Sequence, residues 1–148
     1  MKTYTTASGS SAKVLIVDDD RRLLAAMTMR LGEIGCRCVS CTNTSEAMKT
    51  FAVGQFDLVI TDLMMPGIDG LSVIGLIRSQ SDVPLIVVTG HAPEYAAEVG
   101  RFNWVTLLRK PFDAQSLIDS VKAALPGNAS RWKAVDSESV NVHRKAMN

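Results

Sequence analysis

Val14-Leu15-Ile16-Val17-Asp18-Asp19-Asp20 is a short, mostly β-branched apolar run that stops abruptly on three acids. A continuous run of this kind reads as a strand buried on both faces, the habit of parallel sheets. Leu58-Val59-Ile60-Thr61-Asp62 repeats the pattern and also ends on acid. Two such strands side by side gather like charges at one edge. Two carboxylates about 4 Å apart repel by roughly 4 kcal/mol at an effective dielectric near 20. A folded cluster of this kind needs a cation, a base or protonation to relieve it. Asp20 has a simpler role as the cap of a helix opening at Arg21. One cap needs one acid, so the others ask for a different explanation.

Outward from these strands the chain alternates. Leu24, Met27, Leu31 and Ile34 fall at helical spacing and Gly35 supplies a stop. Arg37 to Cys41 reads as a second strand, followed by a short helix from Ser45 to Ala52, entered through Thr44 and left at Gly54. The third strand runs from Asp57 to Asp62. After the turn Met65-Pro66-Gly67 comes a helix with Leu71, Ile74 and Ile77 on one stripe. Pro84 opens a fourth strand, Leu85-Ile86-Val87-Val88, ending at Thr89. A weakly patterned helix spans about Glu94 to Arg101, Val105 to Arg109 is a fifth strand, and Asp113 caps a last helix with Leu117, Ile118, Val121 and Leu125 inward. Strand and helix alternating through the chain predict an α/β fold, a doubly wound five-stranded parallel sheet with right-handed crossovers and helices on both faces.

The sequence divides into a polar, mobile N-terminal tail (1–12), one domain (13–125) and a polar C-terminal tail (126–148). Its 148 residues, 47% hydrophobic, suffice for a proper core. The formal net charge of +1 sets up no basic field for nucleic acid or membrane. No apolar stretch approaches the length of a spanning helix, and Met1 to Ala7 does not lead into a signal peptide; a cytoplasmic protein is expected. Cys36, Cys38 and Cys41 lack the spacing and the fourth ligand of a metal site, so they read as small buried thiols in a reducing compartment. Cys36 and Cys38 belong to one strand face, Val39 and Cys41 to the other. The C-terminal tail is too short for a DNA-binding domain with its own core; its simplest reading is a solvated segment, the alternative a partner-binding peptide anchored by Trp132.

In an open parallel sheet, sites form beyond the carboxyl ends of the strands. Here that edge collects Asp18 and Asp19 from the first strand, Asp62 from the third, Thr89 from the fourth and Lys110 from the fifth. The set suggests phosphoryl transfer to a carboxylate. Asp62 would be the nucleophile. Asp19, with Asp18, would hold Mg²⁺, which favours a few carboxylates, water and phosphate oxygens, and the backbone carbonyl of Met64 could complete its shell. Lys110 offers a compact charge and Thr89 a hydroxyl to the phosphoryl oxygens.

Those pieces, Val14 to Asp20, Asp57 to Gly70, Val87-Val88-Thr89-Gly90 and Arg109-Lys110-Pro111-Phe112, resemble in order and spacing the receiver domains of response regulators in two-component signalling. The likeness covers about Lys13 to Leu125. It implies a flavodoxin-like sheet of strand order 2-1-3-4-5 and Asp62 as phosphoacceptor from a sensor histidine kinase or histidine phosphotransfer protein. It also implies an Mg²⁺ site at Asp18, Asp19 and Asp62, and a cis peptide between Lys110 and Pro111, inexpensive only before proline. Gly90 would leave the phosphate open to its donor. Met64 and His91 match positions that border the site and influence how long the phosphate persists; His91 reads equally as a loop histidine. Gly67 and Gly70 flank a turn where positive φ is expected.

The chain departs from the family at Leu107, where a Tyr or Phe usually turns inward on activation. Trp104, three residues away, is expected on the opposite strand face and cannot replace that ring. Asn103-Trp104 stands where a Gly-Ala pair is typical. Three functions follow. The leading one is a phosphorylation-dependent switch that signals through contacts with an unidentified downstream protein, without direct DNA or membrane binding. It would be no enzyme beyond self-catalysed transfer to and hydrolysis from its own Asp62. The alternative is a constitutive receiver-like interaction module, favoured by Leu107. The third, a true phosphatase or phosphotransferase, lacks a spare acid or base close after Asp62.

Overall fold

The computed structural model describes residues 11–67 and 69–125. The expected C-terminal tail with Trp132, and residues 1–10 of the N-terminal one, lie outside the described residues. Ala12, expected in the mobile tail, is fully buried, and its carbonyl accepts the Arg37 N–H at 2.8 Å.

Five strands alternate with five helices: β1 (Lys13–Val17), α1 (Arg21–Glu33), β2 (Arg37–Cys41), α2 (Thr44–Val53), β3 (Leu58–Asp62), α3 (Gly70–Gln80), β4 (Leu85–Thr89), α4 (Ala92–Val99), β5 (Val105–Arg109) and α5 (Ala114–Ala124). The strands form one sheet in the order β2-β1-β3-β4-β5, all pairs parallel, the flavodoxin-like arrangement. Alternation along each strand divides the core in two. Val14, Ile16, Leu58, Ile60, Ile86, Val88 and Leu108 pack against α1 and α5 through Leu24, Met27, Leu31, Leu117 and Val121. Leu15, Val17, Val59, Leu85, Val87, Val105 and Leu107 face α2, α3 and α4 through Ala47, Val73, Ile74, Ile77 and Val99. Each fully buried Leu or Ile contributes roughly 1.5–3 kcal/mol, so the two cores readily outweigh charge crowding at the sheet edge. Among the described residues no helix is long and apolar enough to cross a membrane.

Local signals set most of the helix ends. Asp20 caps α1 by accepting the Arg22 and Leu23 N–H groups, Asn43 caps α2 through Glu46, and Asp113 caps α5 through Ser116. Helix α4 begins two residues earlier than the sequence suggested, with Pro93 in its first turn, where its missing N–H costs nothing. Gly67 adopts the expected positive φ, 102°. Gly70 does not; it opens α3 and is crowded by the Leu63 backbone.

One further departure lies at the opposite edge of the sheet from the acids. Trp104 precedes β5 in the left-handed region, φ 60°, so strand alternation does not decide where its ring points. Its carbonyl accepts the Leu85 N–H and, at 3.4 Å, the guanidinium of Arg78, which also holds the Ser81 and Val83 carbonyls at 2.8 Å each. A left-handed residue carrying a Cβ costs about 1–2 kcal/mol. Trp104 is 41% exposed, so more than half of its surface is still covered and its packing helps to offset that strain.

The thiols fall on the expected faces, Cys36 and Cys38 against the α1/α5 core, Val39 and Cys41 against the other; Cys36 and Cys41 are buried as expected, and Cys38 is half-buried. All three are free. Burial, then the neighbouring Cys38 and Asp57 charges, push Cys36 up to about 12, and burial pushes Cys38 up to about 11. A thiol at 11 instead of 9 holds about a hundredfold less thiolate at pH 8. In native protein Cys36 and Cys38 are each expected to react with a disulfide reagent such as Ellman's reagent at least that much more slowly than in the urea-unfolded chain.

Candidate functional site

Parallel register builds the site. Val17 pairs with Thr61, Asp62 with Val88, and Thr89 with Arg109, so the residues ending β1, β3, β4 and β5 reach one edge in step. The Lys110 N–H donates to the Thr89 carbonyl at 2.9 Å and continues that alignment past β5. The Lys110–Pro111 peptide is cis.

Carboxylate oxygens of Asp18, Asp19 and Asp62 lie within 4.8 Å of one another. Asp18 is fully buried, Asp62 nearly so, and Asp19 exposed. Asp18 Oδ1 accepts the Asp20 N–H at 2.9 Å. Its Oδ2 has no hydrogen-bond donor among the described residues, although Lys110 Nζ stands 3.2 Å away as an ion pair. Asp62 Oδ1 accepts the Met64 N–H at 3.0 Å and its Oδ2 accepts from Lys110 Nζ at 2.9 Å. Lys110 thus bridges two carboxylates that would otherwise face each other unscreened.

The protonation balance reflects this crowding. Burial raises the Asp18 carboxyl above its ordinary value; the Asp20 N–H and the Lys110 charge pull it back, and the Asp62 charge pushes it up again. Burial works to lower the Lys110 ammonium, but the hydrogen bond and charge of Asp62, with the Asp18 charge, outweigh it and leave it raised. Lys110 stays a cation at neutral pH. Three carboxylates, one with a buried oxygen that has an ion-pair partner but no hydrogen-bond donor among the described residues, form a hard-oxygen set of the kind that suits Mg²⁺.

Around this centre, Thr89 is fully buried and its Oγ accepts the His91 N–H at 3.0 Å. That contact fixes the oxygen while its own hydrogen stays available to an acceptor. Gly90 adds no side chain at the mouth. His91 is exposed, with Nδ1 3.6 Å from Glu94 Oε1, a loose surface pair of little energetic weight. Met64 is 49% exposed beside the acids. Leu107 is 1% exposed, packed into the core beneath α2, α3 and α4.

Residue types pointed to every one of these side chains, but not to the backbone groups that hold them. The N–H groups of Asp20 and Met64 aim the two carboxylates, and the Leu63 N–H donates to the Val88 carbonyl at 3.0 Å, tying the turn after Asp62 to β4. Only the short spacing between each amide and its acid hinted at the first two.

Residues 14–122 match the sequence model of the response regulator receiver domain. Over 124 residues the chain is 37% identical to the response regulator protein FleR of Pseudomonas aeruginosa, covering 80% of this chain and 26% of FleR. It therefore spans about a quarter of that relative's length. Among solved structures it resembles the chemotaxis response regulator CheY4 of Vibrio cholerae (TM-score 0.72, 26% identity, 78% of this chain and 100% of that one). It also resembles the response regulator TrrA of Thermotoga maritima in complex with Mg(2+)-BeF (TM-score 0.70, 33% identity, 77% of this chain and 99% of that one). A match running from the first strand into the last helix, over a sheet of the same order, leaves one conclusion: the chain belongs to the response regulator receiver domains, signalling modules of two-component systems rather than conventional enzymes.

Proposed function

We propose that this chain is a phosphorylation-dependent switch whose phosphoacceptor is Asp62. The observation that carries the proposal is the bridge of Lys110 Nζ between Asp62 Oδ2 and Asp18 Oδ2, beside an exposed third carboxylate. A sensor histidine kinase or histidine phosphotransfer protein would present a phosphohistidine. A carboxylate oxygen of Asp62 attacks phosphorus, the P–N bond breaks, and the electron pair leaves with the imidazole nitrogen, which takes up a proton. Lys110 meets the negative charge on one phosphoryl oxygen and Thr89 donates its hydroxyl to another. Asp18, Asp19 and Asp62, with the Met64 carbonyl, would hold Mg²⁺, which neutralises charge on the transferring group. The buried Asp18 Oδ2, which has the Lys110 ammonium beside it but no hydrogen-bond donor among the described residues, supports that donor set, as does the Mg(2+)-BeF complex of the related TrrA.

Thr89 and Lys110, drawn toward the phosphoryl group, would bias two arrangements of the loops after β4 and β5. A downstream protein would read the change by contact. Neither DNA nor membrane takes part in this reading, and the free thiols fit a cytoplasmic setting. A second reading, a receiver-like module that binds its partner constitutively, draws on the buried aliphatic Leu107 in place of a mobile ring. Two-dimensional NMR with Mg²⁺ and acetyl phosphate separates them. Shifts reaching from Asp62 through Thr89 to the surface of α4 are expected for the switch. Shifts confined to the acidic pocket favour the constitutive module.

A further inference from the structure

Gly70 opens α3 without a left-handed φ, so conformational freedom is not the reason a glycine stands there. A Cβ at Gly70 would fall 2.9 Å from the Cα of Leu63 and closer still to the carbonyl carbon and oxygen of that residue. These are backbone atoms, which cannot swing aside as the end of a side chain can. The same residue is held from the other side, because its N–H donates to the Val88 carbonyl at 3.0 Å. Leu63 is thus gripped between β4 and the bare Cα of Gly70. The turn built on it holds the Asp62 carboxylate, through the Met64 N–H, and leads directly to the Met64 carbonyl.

We infer that Gly70 is a positioning residue for the acidic pocket: by lacking a side chain it lets the first turn of α3 close over the Leu63 carbonyl, and so fixes the Asp62–Met64 turn in the geometry that binds a divalent cation. Any side chain at this position forces the Leu63 peptide or the start of α3 to move. Because Leu63 is pinned to β4, the displacement is taken up in the turn. The inference rests on the proposed Mg²⁺ role of the pocket. Gly75, in the same helix, and Gly32, in α1, are built-in controls, since a Cβ at either would meet nothing within 4 Å.

The test is Mg²⁺ titration of the full chain, followed by amide chemical shifts, in wild type, Gly70→Ala and Gly75→Ala. A fourth sample carries Gly70→Ala in a Gly32→Ala/Gly75→Ala background, where added helix propensity offsets lost stability. Gly70→Ala is expected to weaken Mg²⁺ binding roughly 10- to 100-fold in both backgrounds, the usual cost of disturbing the support of a metal site. Gly75→Ala is expected to bind as wild type does. A purely structural role would lower the melting temperature and leave the affinity of the folded protein unchanged; that result would overturn the inference, as would failure of the background variant to fold. If wild type binds no Mg²⁺, the reading of the pocket fails, and the Leu63 and Met64 amide shifts decide for Gly70. They move in Gly70→Ala and stay in place in Gly75→Ala if the inference holds; if they stay in place in both, it fails.

Discussion

Asp62→Asn is expected to abolish covalent labelling by acetyl phosphate while leaving the fold and its stability nearly unchanged. The amide is isosteric with the carboxylate but offers no anionic oxygen to attack phosphorus. Its carbonyl can still accept the Met64 N–H that Asp62 Oδ1 accepts now. The lost charged hydrogen bond to Lys110 costs roughly 1.5–3 kcal/mol, and relief from the like charge of Asp18 offsets it. Lys110 retains Asp18, 3.2 Å away, as its partner. Intact mass after incubation with Mg²⁺ and acetyl phosphate checks the chemistry, and urea unfolding checks the fold. Persistent labelling of the variant would place the acceptor elsewhere.

Lys110→Ala is expected to destabilise the Mg²⁺-free protein at pH 7 by roughly 2–3 kcal/mol, somewhat below the loss typical of a broken, fully buried ion pair because the lysine is partly exposed. Asp18 and Asp62 are then left facing each other without a cation. The direction with pH follows from the pocket. A carboxyl whose folded pKa is raised, as that of Asp18 is, contributes stability below its unfolded value and loses it as pH rises through the folded one. Lys110 is also raised, so its own contribution is present below its unfolded value and lost only in the alkaline range. Without Lys110 the Asp18 carboxyl favours protonation more strongly, so the deficit against wild type shrinks as pH falls toward the carboxylate range. Mg²⁺ at neutral pH is expected to shrink it as well, since a bound cation stabilises the folded state by mass action. Urea unfolding at pH 7 and pH 4.5, with and without Mg²⁺, measures each effect. A deficit indifferent to both would mean that Lys110 acts through packing.

The sheet and the acidic edge were legible because each strand carries its own signal. Val14 to Val17 and Leu58 to Thr61 are apolar without interruption, and the acids that end them have no place inside a core. Parallel register then brings Asp18 and Asp62 to the same level. What the sequence misplaced depends on contacts between distant segments. Gly70 looked like a positive-φ glycine, but its constraint is the Leu63 carbonyl pressed against it, and no local pattern reports such an approach. Counting back from Leu107 puts Trp104 on a strand face, but the strand starts only at Val105 and the preceding backbone turns left-handed. Pro93 reads as a breaker and hides the start of α4, yet in a first turn it breaks nothing. Ala12 looked like tail because one small residue carries no periodic signal, while the Arg37 N–H draws it into the sheet.

The most direct test of the central claim is the intact mass of the wild-type chain after incubation with acetyl phosphate, with Mg²⁺ and with the metal chelated. One phosphoryl group added only when Mg²⁺ is present is the expected result. No addition under either condition, or addition indifferent to Mg²⁺, would contradict the reading of Asp18, Asp19, Asp62 and Lys110 as a phosphoacceptor site.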